Sequence, residues 1–273
     1  MKLTYLGTAA AEGIPAVFCG CSLCGQARTL GGKNQRTRSQ VLMDDTIIID
    51  FPPDSLMHAQ NQKIDFLQYK AILVTHSHQD HWYPYDLMFR RPPYSWGQTH
   101  RLEIYGNHRV EQKLNALNYL EDEAMASSIR MNYVEPYAAF MIGTHAVTPL
   151  LANHDKKEQC YIYMIESGGK RLLYAHDTGL FPEKTMQFIK GIYFDLISMD
   201  CTTGLEKDGN NHMGIADNRE LEGTLRSLGC MDDESRIIVS HFSHNGGLLH
   251  GDIEKKVEDY GYIVAYDGMS IEC

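Results

Sequence analysis

Ala71-Ile72-Leu73-Val74-Thr75-His76-Ser77-His78-Gln79-Asp80-His81 is a strand-like apolar run that breaks off into four metal-ligand side chains within six positions. His76 and His78 stand two apart, so an extended turn directs both imidazoles to one side. Asp80 and His81 are adjacent, must point differently, and are placed to serve a second ion. Imidazole and carboxylate without thiolate suit zinc, manganese or iron in a hydrolytic or redox site. A lone histidine here would read as a hydrogen-bonded core or surface residue, but H-x-H-x-D-H directly after an apolar strand is a metal signature.

Working outward, three further strands end in ligand types. Ala146–Leu151 precedes Asn153-His154-Asp155, Arg171–Ala175 runs into His176-Asp177-Thr178-Gly179, and Arg236–Val239 runs into Ser240-His241-Phe242-Ser243-His244. Ligands delivered from several strand ends converge on one rim of a sheet. His176, beside Asp177, faces the opposite side if extended and is left out of the set. Further strands are expected at Leu3–Leu6, Ser39–Met43, Thr46–Asp50, Glu103–Tyr105, Cys160–Glu166, Leu196–Met199 and Tyr262–Val264. Helical patterns cover Asp54–Gln60, Val110–Leu120, Pro182–Lys190, Asp217–Leu228 and Asp252–Tyr260. Hairpin-like strands early, strand–helix alternation later and no linker predict one α/β domain over 1–273 with sheet and helix layers. Trp82–His100 carries Pro84, Pro92, Pro93, Arg90 and Arg91 and reads as a long irregular loop, a candidate substrate edge near 82–100.

The ordered set His76, His78, Asp80, His81, His154, Asp177, His241 resembles the metallo-β-lactamase superfamily across essentially the whole chain. The resemblance implies a four-layer αββα sandwich. It also implies that His76, His78 and His154 hold one ion, that Asp80, His81 and His241 hold the other, and that Asp177 bridges the two. Asp50, closing the Thr46–Asp50 strand, reads as a turn residue or, by the resemblance, as a carboxylate supporting the ligands. Two adjacent divalent ions, zinc or manganese, would lower the pKa of a shared water and stabilise charge on phosphoryl or acyl oxygens. Asp80 could also hold the nucleophile's proton. His212, in the loop Asn210-Asn211-His212-Met213-Gly214, is either a solvent-exposed histidine or the general acid for the leaving group.

Seven cysteines is an odd count, and Cys19, Cys21 and Cys24 cluster in one short stretch. In a reduced compartment such spacing suggests metal rather than disulfide, with core thiols as the simpler reading. A structural zinc needs a fourth ligand, and His244, three residues past His241, is well placed for it. The remaining Cys160, Cys201, Cys230 and Cys273 read as small buried hydrophobes.

Gly7-Thr8-Ala9-Ala10-Ala11-Glu12-Gly13-Ile14-Pro15-Ala16, the three cysteines, Asn211-His212, His241 through His244 and Tyr266-Asp267-Gly268-Met269 narrow the resemblance. They are similar to the phosphoribosyl 1,2-cyclic phosphate phosphodiesterases of the carbon–phosphorus lyase pathway. In that family three thiols and a histidine hold a structural zinc, and a histidine matching His212 donates a proton. Ala9 and Ala10 stand where the family favours glycine, and segment 82–135 matches poorly. The expected function is metal-dependent hydrolysis of a small phosphodiester, cyclic or open, with Arg90, Arg91 and Lys156 as candidate phosphate contacts. The alternatives are an RNA 3′-processing nuclease and a cofactor protein like that of pyrroloquinoline-quinone biosynthesis.

A formal net charge of −10 argues against a general nucleic-acid surface. No apolar run approaches the length of a membrane span. Met1 to Gly7 reads as a first strand rather than a signal peptide, so the cytoplasm is the expected compartment. A homodimer is what the resemblance implies.

Overall fold

The computed structural model describes all 273 residues. Its strands in chain order are β1 (Lys2–Gly7), β2 (Gln40–Met43), β3 (Ile47–Ile49), β4 (Ala71–Leu73), β5 (Leu102–Gly106), β6 (Ile129–Tyr133) and β7 (Phe140–Ile142), then β8 (His145–Leu151), β9 (Tyr161–Ser167), β10 (Lys170–Ala175), β11 (Leu196–Asp200), β12 (Arg236–Ser240), β13 (Ile263–Val264) and β14 (Ser270–Glu272). The helices are α1 (Ser22–Leu30), α2 (Ser55–Gln62), α3 (His108–Asn115), α4 (Glu123–Ser128), α5 (Glu183–Ile189), α6 (Ile215–Ser227) and α7 (His250–Val257).

The strands form two seven-stranded sheets, in the orders β14-β1-β2-β3-β4-β5-β6 and β13-β12-β11-β10-β9-β8-β7. Each sheet is half antiparallel and half parallel. β1 to β3 pair antiparallel and β3 to β6 parallel in the first; β7 to β10 pair antiparallel and β10 to β13 parallel in the second. The parallel halves need crossovers, which place helices on the outer faces.

Side-chain alternation explains why the sheets stack. Ile47 and Ile49 enter the core between the sheets while Ile48 enters the outer core of the first sheet. On β10, Leu172 and Tyr174 face the other sheet while Leu173 and Ala175 pack outward. Such strands are apolar on both faces, so each sheet must be covered twice. The inter-sheet core joins Leu3, Tyr5, Val41 and Leu73 to Tyr161, Tyr163, Ile165 and Leu196. A second core seats α1, α5, α6 and α7 on the second sheet, and a third seats α3 and α4 on the first. Three cores between four layers make the αββα sandwich.

All eleven expected strands are present, with ends shifted by one or two residues. The structure adds β6, β7 and β14, and the helices α1 and α4. Cys21 and Cys24 therefore do not share a plain loop: Cys21 caps α1, its Sγ accepting from Cys24 N at 3.4 Å, and Cys24 lies in the first turn. Segment 82–100 contains a short 3₁₀ stretch, Pro84–Phe89, and Asn118 in a left-handed conformation follows the end of α3, so the helix stops short of Leu120. No helix is long and apolar enough to cross a membrane.

Candidate metal centre

The ligand types expected from the sequence meet at the C-terminal ends of β3, β4, β8, β10, β11 and β12. Three corner residues there have left-handed backbones: Asp50 at φ 63°, Asp177 at 56° and His241 at 60°. Non-glycine residues in this region are strained by about 1 kcal/mol or more, and Asp tolerates it best. The turn at each corner swings the side chain across the sheet edge instead of continuing the strand.

Three overlapping donor groups share Asp177: the two described next, and a third that joins it to Asp200, His212 and His241. His76, His78, His154 and Asp177 offer ligand atoms within 4.8 Å of one another, as do Asp80, His81, Asp177 and His241. These are the two sets the resemblance implied. Within them His78 Nδ1 and His154 Nε2 are 3.2 Å apart, His81 Nε2 and His241 Nε2 3.3 Å, and His81 Nε2 and Asp80 Oδ2 3.2 Å. A tetrahedral ion with bonds of about 2.0–2.1 Å separates neighbouring ligand atoms by about 3.3 Å. His76 Nε2 is buried and lies 3.1 Å from Asp177 Oδ2 yet makes no hydrogen bond, and Asp177 Oδ1, also buried without one, lies 3.1 Å from His212 Nδ1 and 3.3 Å from His154 Nδ1. Buried polar atoms are rarely left so, and convergent lone pairs at coordination-edge spacing fit a pair of cations.

Each imidazole has its other nitrogen held from outside. Asp50 Oδ2 accepts from His81 Nδ1 at 2.7 Å, and Thr75 N donates to Asp50 Oδ1 at 2.8 Å. Thr202 Oγ1 is 2.8 Å from His241 Nδ1, Asp155 Oδ2 is 3.3 Å from His78 Nε2, Thr75 Oγ1 is 3.0 Å from His76 Nδ1, and Asn211 O is 3.2 Å from His154 Nδ1. Such partners fix the tautomer and aim the free lone pair inward. Asp50 therefore supports a ligand as well as ending its strand.

Asp200 was not singled out from the sequence. Fully buried at the end of β11, it accepts from the backbone N–H groups of Asp177, Thr202 and Met213 at 2.9 to 3.0 Å. Its Oδ2 also faces His212 Nδ1 at 3.3 Å. The clue was available, since Asp50 and Asp177 are also acids closing apolar strands.

The electrostatics follow from this packing. Burial, then neighbouring His81, pushes His76 down to about 3, leaving it neutral with a lone pair for a cation. Burial also lowers His154. Asp177 sits well below the usual carboxylate range, because His241, His212 and His76 outweigh its desolvation. Burial opposes charge on His212, but Asp177 and Asp200 outweigh it and push the imidazole up to about 11. The carboxylates draw positive charge into the cleft.

A cavity of about 420 Å³ opens over the donors, with Asp80, Asp177, His78, His154, His212 and His241 in its walls. His212 Nδ1 is committed to Asp200 and Asp177, so Nε2 is free for a ligand. Gly179 permits the close approach of the His212 loop, since a Cβ there would stand 2.1 Å from Asn210 O. None of residues 82–100 lines this cavity; Arg90 bonds to Ser128 O and His100 O, Arg91 pairs with Asp122, and Lys156 is exposed. His176 is buried outside every donor group, 2.7 Å from Ser198 Oγ.

A separate group gathers Cys19, Cys21, Cys24 and His244. His244 Nδ1 is 3.6 Å from Cys19 Sγ and 3.5 Å from Cys21 Sγ, matching the edge of about 3.6 Å in a tetrahedron with Zn–S bonds of about 2.3 Å and Zn–N bonds of about 2.0–2.1 Å. Backbone N–H groups of Ala16, Cys21 and Cys24 each point at a sulfur at 3.4 Å, which favours thiolates. Cys160, Cys201 and Cys230 are buried, as expected; Cys273 is half-buried.

Comparison with known proteins agrees with this fold. Coenzyme PQQ synthesis protein B of Methylobacterium radiotolerans is 23% identical over 308 aligned positions, covering 99% of each chain. A diphosphatase from the PhnP family superposes with a TM-score of 0.75 at 22% identity, covering 100% of this chain and 97% of that one. Zinc-bound PqqB from Methylobacterium extorquens gives the same TM-score at 20% identity, covering 100% of both. The description "Beta-lactamase superfamily domain" matches residues 45–242, well over half the chain. This protein therefore belongs to the beta-lactamase superfamily.

Proposed function

We propose that this chain is a metal-dependent hydrolase acting on a small phosphodiester. The observation that carries the reading is the pair of donor groups sharing Asp177 beneath a cavity whose wall includes His212. His76, His78, His154 and Asp177 would hold one divalent ion, and Asp80, His81, His241 and Asp177 the second, either zinc or manganese. When bound, such ions supply a water of lowered pKa and stabilise charge on phosphoryl oxygens.

The chain's own residues supply what remains. His212 keeps a proton on Nε2 and delivers it to the leaving oxygen, while Asp200 holds Nδ1 and stabilises the imidazolium. Asp200 is itself fixed by three backbone donors, so the imidazole is aimed before substrate arrives. Asp80, in the cavity wall, is an acceptor for the proton leaving the nucleophile. Cys19, Cys21, Cys24 and His244 would hold a structural zinc.

Likeness to PQQ synthesis protein B supports a second reading, a cofactor-biosynthesis role at the same centre. A histidine paired with a buried acid at the cavity favours hydrolysis. An RNA-processing reading is weaker, because the cavity offers no lysine or arginine to a polyanion.

The test is turnover of bis-p-nitrophenyl phosphate and 2′,3′-cyclic nucleotides by protein loaded with Mn²⁺ or Zn²⁺; no hydrolysis of either overturns the reading. His212→Ala should lower kcat by roughly 10²–10⁴-fold for an alkoxide leaving group and far less for p-nitrophenolate, which needs little protonation. Equal losses on both would remove His212 from the proton-donor role.

A further inference from the structure

Apart from the metal donors, His212 and two alanines, the cavity over the centre is walled by Glu12, Glu206, Thr202, Thr203, Ser243 and Asn245. The polar wall is neutral or acidic. A phosphodiester brings one negative charge, and the donor groups described above provide for it. Any second phosphate or carboxylate on the substrate would need its own guanidinium or ammonium partner.

The two arginines of the adjoining cavity are committed elsewhere. Arg38 pairs with Asp54 at 3.1 Å. Arg36 is buried, donating to Thr8 Oγ1 at 2.7 Å and to Ala265 O at 2.6 Å, with Nη2 2.9 Å from His250 Nδ1. Both arginines line a different cavity, of about 670 Å³, which meets the first only at Glu12.

Neither glutamate pairs with a lysine or arginine. Glu12 takes the Ser243 hydroxyl on Oε1, and His244 Nε2 is 3.6 Å from the same oxygen, so Oε2 keeps its acceptor capacity. Glu206 is exposed, and its hydrogen bonds run through its backbone: Thr203 Oγ1 donates to its carbonyl at 2.7 Å. Gly214 admits that carbonyl, because a Cβ there would stand 2.2 Å from it. The zinc module adds to the field on this side, since three thiolates around a divalent ion leave a net charge of −1.

We propose that the site selects zwitterionic phosphodiesters, in which one ester arm carries an ammonium group read by Glu12 and Glu206, and that it rejects substrates with a second anionic group. The proposal rests on the phosphodiesterase reading and names the substrate class for the same cavity. Two partly exposed carboxylates acting together should favour a cationic arm over an anionic one by roughly tenfold or more at low salt.

Binding tests this independently of turnover. Calorimetric Kd values would be measured on Mn²⁺-loaded protein for three phosphomonoesters of matched size: 2-aminoethyl phosphate, 2-hydroxyethyl phosphate and phosphoglycolate. The expected order of affinity is ammonium, then hydroxyl, then carboxylate, and added salt should compress it. Glu12→Gln with Glu206→Gln should bring the first and last within about threefold, with circular dichroism checking that the variant folds. Equal affinities in the unsubstituted protein, or phosphoglycolate binding tightest, would overturn the proposal. Hydrolysis of bis-p-nitrophenyl phosphate with a flat binding order removes the selectivity alone. The expected order without hydrolysis of any diester keeps the selectivity and removes the phosphodiesterase reading.

Discussion

His81 gives one nitrogen to Asp50 and keeps the other for the donor group, so the direction of its free lone pair depends on a residue outside that group. Asp50→Asn tests that dependence cleanly. Asparagine accepts the left-handed backbone at this corner and keeps an acceptor for Thr75 N, but loses the charge that orients the imidazole. Metal affinity at the Asp80–His81–His241 group should fall by about 10–100-fold with the fold retained, as read by metal titration and far-ultraviolet circular dichroism. Unchanged affinity would reduce Asp50 to a turn residue. Asp200 escaped notice because an acid after Met199 reads as strand punctuation, and its role depends on a loop that returns twelve residues later with His212.

At the level of elements, legibility tracked burial. Strands such as β4, β10 and β12 announce themselves because both faces are covered and their sequences are continuously apolar up to a ligand. β6, β7 and β14 lie at sheet edges; Ile129-Arg130-Met131-Asn132-Tyr133 of β6 does alternate apolar with polar residues, but it follows a run of small and acidic residues with no turn signal to set it off, and β7 and β14 are three residues each. Helix α1 was hidden differently. Its sequence holds Gly25 and Cys24, and its N-cap is Cys21, so its residues read as a metal loop. That double role separates experimentally. Cys21→Ser keeps a competent capping oxygen while removing a thiolate. Bound zinc should fall by about one ion per chain with the dinuclear donors unaffected, and the melting temperature should drop although α1 remains capped, as read by elemental analysis and thermal unfolding. A melting temperature unchanged by zinc loss would deny the cysteine group a structural role.

Across the whole molecule, the inner faces of the sheets are apolar, but the margin beside the centre is stitched by buried polar groups. His58 is 2.7 Å from Gln40 Oε1 and 2.6 Å from Thr37 Oγ1, and Gln40 Nε2 donates to Asp50 O at 3.0 Å. Burial outweighs the charge of Asp54 and pushes His58 down from 6.5 to about 4; burial and then Arg36 do the same to His250. Because the folded values lie below the unfolded one, the unfolded chain binds more protons between these limits. The stability these two histidines contribute is therefore fully present above about pH 6.5 and is lost as pH falls from there through about 4, with His58 alone contributing roughly 3 kcal/mol. Urea midpoints at pH 7, 5.5 and 4.5 should show this decline, and His58→Gln should flatten it. An equal slope in the variant would assign the acid sensitivity elsewhere.

The left-handed corners at 50, 177 and 241 also restrict which donors can ever occupy them. Branched side chains are excluded by the backbone, and short acids or amides fit most easily, so substitution there stays within hard and borderline ligand chemistry. Sulfur is confined to the Cys19–Cys24 stretch, where Cys21 sits at an ordinary φ of −66°. Soft and hard donors are thereby partitioned by main-chain geometry into two neighbouring groups on one polypeptide.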